Sequence, residues 1–321
     1  MSAETPSATL AESVESSLRD ELAQGDISLA TTRPILRHLL AHADLDLFND
    51  EVIAKVRGMV THLARQVLFA LAKSDGITDR GSFADERQNA LAAGLMESAP
   101  VIGFAHALAV EALTAERLSI RSGIDAVLSP LLQELVASPE GGEAREAMRA
   151  LSAQARFMQQ QRRMELPLGE LPAGVFETVC AHCEAALVAE FPRVGHTLTA
   201  LREEHAESNS RITRLTGLIH QLADKAHRAL SVDHAGVSMF VTALEMAGEQ
   251  SREVAVLSLS ENQCARLALT LRAAGLSAAQ VEEQFLFLHP DITLPEGFDT
   301  LRADRASAAL ADSAALLERV S

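Results

Sequence analysis

The sequence predicts an all-α protein, and three observations carry that prediction. The apolar residues are mostly Ala, Leu and Val, they recur in steps of three and four, and no stretch alternates apolar with polar residues as a strand would. Of 321 residues, 48% are hydrophobic but only 3% aromatic, with no Trp and no Tyr, the mixture that fills helix–helix interfaces. Short helical segments separated by Gly, Pro and Ser predict a multi-helix bundle or a HEAT-like stack of helix pairs, although no repeat length recurs.

In chain order, residues 1–26 carry six acids against the single Arg19 and read as an acidic, mobile lead-in or a loosely attached helix. Thr32 and Pro34 have the order of a helix start, and Asn49 opens a second helix with Asp50 and Glu51 in its first turn. That helix carries the stripe Val52, Val56, Met59, Val60, Leu63, Val67 and Leu71. Ser82 with Asp85 predicts a capping box for the next helix. Two helices follow over 98–137, with Pro130 dividing or kinking the second. A further helix, on Met148, Leu151, Ala155 and Met158, ends before Pro167.

The segment ELPLGELP, residues 165–172, reads as a packed connector, since prolines five residues apart exclude a continuous helix. It divides an N-terminal half, 27–164, from a C-terminal half, 173–321. In the latter, VFETVCAHCEAALVAEF is a helix ending at Pro192. Residues 235–248 form a helix, Ser260 and Gln263 cap another that ends at Gly275, and Ser277 with Gln280 caps a third that ends before His289. A last amphipathic helix starts near Asp299.

Between these lies the longest pattern in the chain, residues 197–230, whose Leu198, Leu201, His205, Ser208, Ile212, Leu215, Ile219 and Leu222 keep one register. It predicts one heptad-patterned helix of roughly 50 Å, with Thr197 as its cap. Leu201, Ile212, Leu215, Ile219 and Leu222 are its expected interface, against a neighbouring helix of the same chain or a second copy.

A formal net charge of −16 opposes nonspecific attraction to nucleic acid or anionic membrane. Three cysteines do not describe a disulfide framework and fit a reducing compartment, and no apolar run is long enough to span a bilayer, so a cytoplasmic protein is expected. Cys180-Ala-His-Cys183 has the spacing of a thiolate pair, but without further paired ligands it reads as buried structural thiols, and no metal or cofactor is expected. His220 reads as a solvated helix residue. Arg145, Arg149, Arg156, Arg162 and Arg163 form the one locally basic element, suited to an acidic partner such as the N-terminal segment, or to a phosphate at Arg156 and Arg163. The hairpin RLALTLRAAGLSAAQVEEQFLFL has helix-turn-helix length, but its second helix offers Glu282 and Glu283 where DNA needs bases. Glycine-rich phosphate loops, GxSxG elbows and HExxH are absent from the sequence.

Residues 239–292 run as an apolar helix, a polar interval, a helix ending in Ala274-Gly275-Leu276-Ser277, and a second apolar helix. With Phe240 and Leu244 in the first helix, and ELPLGELP as a second anchor, this order resembles the alphaproteobacterial family called domain of unknown function 2336. The resemblance implies an all-helical, HEAT-like fold and carries over no catalytic residue. The expectation is a non-catalytic regulator or scaffold acting through protein contacts, as a homodimer. The alternative is a helical binding protein for an apolar or phosphorylated small molecule, with Arg156 or Arg163 at the mouth.

Overall fold

The computed structural model describes residues 6–41 and 50–320, with side chains described over 12–36, 50–207 and 209–315. The helices are α1 Pro6–Ala41, α2 Asp50–Ser74, α3 Arg80–Leu95, α4 Ala99–Ser122, α5 Pro130–Val136, α6 Gly141–Arg162 and α7 Ala173–Leu187, then α8 Val194–Glu204, α9 Arg211–Gln221, α10 Val232–Ala247, α11 Arg252–Leu257, α12 Cys264–Ala273, α13 Ala278–Leu288 and α14 Ala303–Val320. No strand occurs among the described residues, and no single described helix is long and apolar enough to cross a membrane. The protein is all-α.

Contacts group the chain into two compact units that interleave in sequence: unit 1 takes segments 1–32, 113–148 and 215–321, unit 2 takes 33–112 and 149–214. This grouping differs from two successive halves, because helices far apart in sequence pack together. Unit 1 centres on α10, in which every residue from Ala235 to Leu244 is buried. Helices α5, α11, α12 and α13 pack on it, and α14 packs on α12. Gly236 bends α10 at φ 71°, where a Cβ would meet Ser129 at 3.0 Å.

Unit 2 centres on α2. Of the predicted stripe, Val56, Met59, Val60, Leu63, Val67 and Leu71 are fully buried, while Val52 at its start is half-exposed. Burying such a side chain stabilises by about 1.5–3 kcal/mol. Helices α3 and α8 pack on α2, and α7 packs on both of them. Beside the apolar stripe runs a polar one that holds the connector. Lys55 Nζ donates to Gln161 O at 3.2 Å, Gln66 Nε2 donates to Leu166 O at 2.8 Å, and Leu168 N–H donates to Gln66 Oε1 at 3.0 Å. The Gln161 carbonyl in the last turn of α6 and the Leu166 carbonyl of the connector thus find partners on a neighbouring helix. Gly58 permits the close crossing, since a Cβ there would lie 2.5 Å from Met164 Cβ. Leu166, Leu168 and Leu171 are buried, so the connector is packed.

Several expectations need correction. The acidic lead-in is a helix from Pro6, as one of its two readings had it, but a packed one and not loosely attached, with Val14, Leu18 and Leu22 buried one turn apart. Its acids pair with bases of unit 1: Glu15 with Arg19 and Arg305, Asp26 with buried Arg266. Thr32 and Pro34 lie inside α1, where the Thr32 hydroxyl donates back to Ser28 O at 2.9 Å. The helix start placed at Asn49 lies outside the described residues, and Asp50 and Glu51 fall in the first turn of α2. Asp79, not Ser82, caps α3, accepting from Ser82 N at 3.0 Å. Pro130 opens α5 behind its cap Ser129. On α6 the buried residues are Ala147, Ala150, Ala153, Gln154, Phe157, Met158 and Gln161; Met158 is buried as expected, while Met148 is exposed and Leu151 and Ala155 are half-exposed, because small alanines carry the contact there.

The largest correction is the long helix, which is four separate pieces, one of them the short 3-10 turn Glu207–Asn209. Helix α8 stops at Glu204, α9 spans Arg211–Gln221, and a 3-10 segment follows from Ala223 to Leu230. His205 leaves the helix at ψ 117°, and Ser210 is extended and caps α9, accepting from Thr213 N at 3.3 Å. Ala223 at φ 47° breaks the far end. α8 itself starts before Thr197, whose hydroxyl is buried without a partner.

Candidate functional site

The candidate groove lies in unit 2 and has a volume of about 530 Å³. Helix α2 supplies His62, Arg65, Gln66 and Phe69 at helical spacing, so the four share one face. The connector supplies Leu168 and Gly169, α7 supplies Phe176, and the end of α8 supplies Leu201, Glu204 and His205. Phe69, Leu168, Phe176 and Leu201 make an apolar lining, and the polar groups stand among them, the composition of a small-molecule site at a volume within the usual range.

His205, His62 and Arg65 are each fixed by a second contact. His205 Nε2 lies 3.0 Å from Leu171 O, and its ring stacks on Phe176 with centroids 4.0 Å apart and planes 18° from parallel. That contact explains why the chain leaves α8 at this residue. His62 Nδ1 receives the Leu166 N–H at 3.1 Å and lies 3.0 Å from Gln66 Nε2. Arg65 pairs with Asp85, donates to Gln88 Oε1 at 3.1 Å, and sits 5.1 Å from the Phe69 ring centre.

A buried clamp holds the floor of the groove from beneath. Arg211, the largest fully buried side chain, donates to Glu111 at 2.6 and 3.1 Å and to Gln154 Oε1 at 3.1 Å, with its guanidinium 3.7 Å over the Phe157 ring. Its backbone N–H donates to Glu170 Oε2 at 2.8 Å. Glu170 closes the 3-10 turn Leu168–Glu170, so the clamp fixes the turn that lines the groove.

No family model matches the chain, nor does any curated protein or solved structure. Function must therefore be argued from this chain's own geometry.

The residues singled out from sequence fall elsewhere. Leu215, Ile219 and Leu222 are buried in the single chain at 1%, 2% and 7% exposure, while Leu201 and Ile212 are half-exposed. Of the five, only Leu201 lines the groove. Arg156 and Arg163 are exposed on and just beyond α6 and do not line it; Arg65 is the arginine that does. Cys180 and Cys183 are buried on one face of α7, where burial pushes the thiols up to about 11 and about 12. Among the described residues no group of three or more His, Cys, Asp or Glu is placed to hold a metal ion. His220 is exposed on α9, and Glu282 and Glu283 are exposed on α13. Sequence reasoning passed over His62, Arg65 and Phe176. The available signals were the polar stripe Lys55, His62 and Gln66 flanking the apolar face of α2, and one histidine in an otherwise apolar seam.

Proposed function

We propose that this protein acts by binding, and that the unit 2 groove receives a small, largely apolar ligand with one polar edge. The observation that carries this reading is the convergence of His62, Arg65, Phe176 and His205 from three helices on one cavity of about 530 Å³. Their orientations are set by protein contacts before any ligand arrives, so little side-chain entropy remains to be lost on binding. A mode of action through an exposed coiled-coil seam loses support, since three of the five seam residues lie inside the chain.

The test is a ligand-observed NMR screen of small planar aromatic compounds against the wild type and Leu201→Trp. Leu201 is half-exposed at the groove, so the larger ring occupies the cavity without displacing a core side chain. Compounds that bind the wild type and lose binding in the variant support the reading. Compounds indifferent to the substitution, or no binding at all, overturn it.

A further inference from the structure

Among the described residues, three buried polar atoms without a partner gather at one seam of unit 1: Asp26 Oδ2, Gln263 Oε1 and Arg266 Nε. The seam is the seat of α1. That helix buries a single stripe, Val14, Leu18, Leu22, Gly25 and Asp26, and turns Glu12, Ser16, Asp20 and Gln24 to water. Charge holds its flank to α14, where Glu15 Oε2 lies 3.2 Å from Arg305 Nε and Arg19 Nη1 donates to Asp312 Oδ2 at 2.6 Å. At the buried end Asp26 pairs with Arg266 of α12, Ser313 Oγ of α14 donates to Asp26 Oδ1 at 3.0 Å, and Gln263 Nε2 donates to Gly25 O at 2.6 Å. A Cβ at Gly25 would meet Gln263 Oε1 at 2.8 Å and the Asn262 carbonyl at 3.1 Å, so the helix comes down close on this end. An acidic amphipathic helix thus lies against α12 and α14, the arrangement of a helix in a groove.

The fit is incomplete. Burial holds Arg266 below its ordinary value although Asp26 opposes the shift, and each partner keeps one unmatched polar atom away from water. A buried pair whose remaining polar atoms are unsatisfied recovers less of its desolvation cost than a fully matched one. We infer that the α12–α14 face is a receptor for an acidic amphipathic helix of a partner protein, and that α1 occupies it in cis until such a helix takes its place. The partner's helix presents apolar side chains at i, i+4 and i+8 and a carboxylate at i+12, the pattern of Val14, Leu18, Leu22 and Asp26. The carboxylate is required because a helix that covers Arg266 without one strands its cation. This surface belongs to unit 1 and is independent of the unit 2 groove.

Cys264 reports on the seat, since it follows Gln263 and feels the Glu21 carboxylate of α1. In the full chain, Leu18→Asp puts a charge on the buried stripe and is expected to lift α1. Iodoacetamide labelling of Cys264 should then rise about tenfold over the wild type, with Cys180 and Cys183 of unit 2 unchanged as internal controls. A synthetic peptide copying residues 9–31 should return Cys264 to the wild-type rate, and the same peptide with Asp26→Lys should not. Protection by both peptides or by neither, or a Cys264 rate that Leu18→Asp leaves at the wild-type value, overturns the receptor. Protection by added wild-type chain as good as the peptide's, with a heterodimer in sedimentation, gives the seat to a second copy and overturns the separate partner. Should circular dichroism show the variant unfolded, hydrogen exchange of the wild type decides. Amides 14–26 of α1 should then exchange about tenfold faster than amides 265–271 of α12, whose residues are all buried, and equal protection of the two overturns the proposal.

Discussion

Glu111 and Arg211 are 0% and 1% exposed and joined by two hydrogen bonds of 2.6 and 3.1 Å. Removing one partner of such a pair strands the other charge away from water and costs about 3–5 kcal/mol. Arg211→Met and Glu111→Leu are each expected to destabilise unit 2 by that amount. For a domain of this size, the shift in melting temperature is roughly 10 °C. Replacing both partners removes both desolvation penalties, so the double variant should lose less than either single one. Urea titrations followed by circular dichroism give the four corners of the cycle. Because the Arg211 backbone holds Glu170, the single variants should also loosen the turn at Leu168–Glu170, visible as faster amide exchange there. Single variants that each cost under about 1 kcal/mol, the behaviour of an exposed pair, would refute the clamp.

Other consequences follow from burial and close packing. Burial holds Cys180, Cys183 and Cys264 at about 11, about 12 and about 11, so all three should react slowly with iodoacetamide at neutral pH and rapidly once urea unfolds the chain; fast labelling of the native protein would contradict this. His289 is held below its usual value chiefly by burial, with Glu261 opposing and Arg121 and Arg117 reinforcing, and its Nε2 is buried without a partner. The unfolded chain then binds the extra proton first, so stability should fall as pH drops below about 6.5, and His289→Gln should flatten that slope. Gly58→Ala brings a Cβ to 2.5 Å from Met164 Cβ, and because both are held by the connector crossing, a loss of about 1–3 kcal/mol is expected in thermal melts.

The parts of the fold legible in the sequence are those set locally. The stripe on α2 and the reciprocal Ser277–Gln280 capping box of α13 depend on spacings of three and four residues within one helix, and apart from the half-exposed Val52 both are present as read. The long helix was misread because its break is tertiary. Nothing near His205 forbids a helix, but a carbonyl 34 residues away and a ring on α7 draw that side chain out, while Glu170 and Ser210 satisfy the start of α9. The buried face of α6 was placed one residue off because alanines, which carry little periodic signal, make the contact. The groove was not legible at all, since its residues come from α2, the connector, α7 and α8, and only packing brings them together. Arg156 and Arg163 drew notice as the basic residues of a charged cluster, whereas Arg65 stands in a stretch whose apolar stripe dominates its reading.

The groove is tested most directly by Phe69→Trp. The chain has no Trp or Tyr of its own, so the new indole is a unique reporter placed in the cavity wall, where the natural ring is half-exposed beneath Arg65. Titrating the folded variant with a small planar aromatic compound that binds the wild type should change the indole emission along a saturating curve and shield it from acrylamide quenching. An emission that stays flat up to the solubility limit of the probe, in a variant that melts like the wild type, would contradict a binding function for this groove.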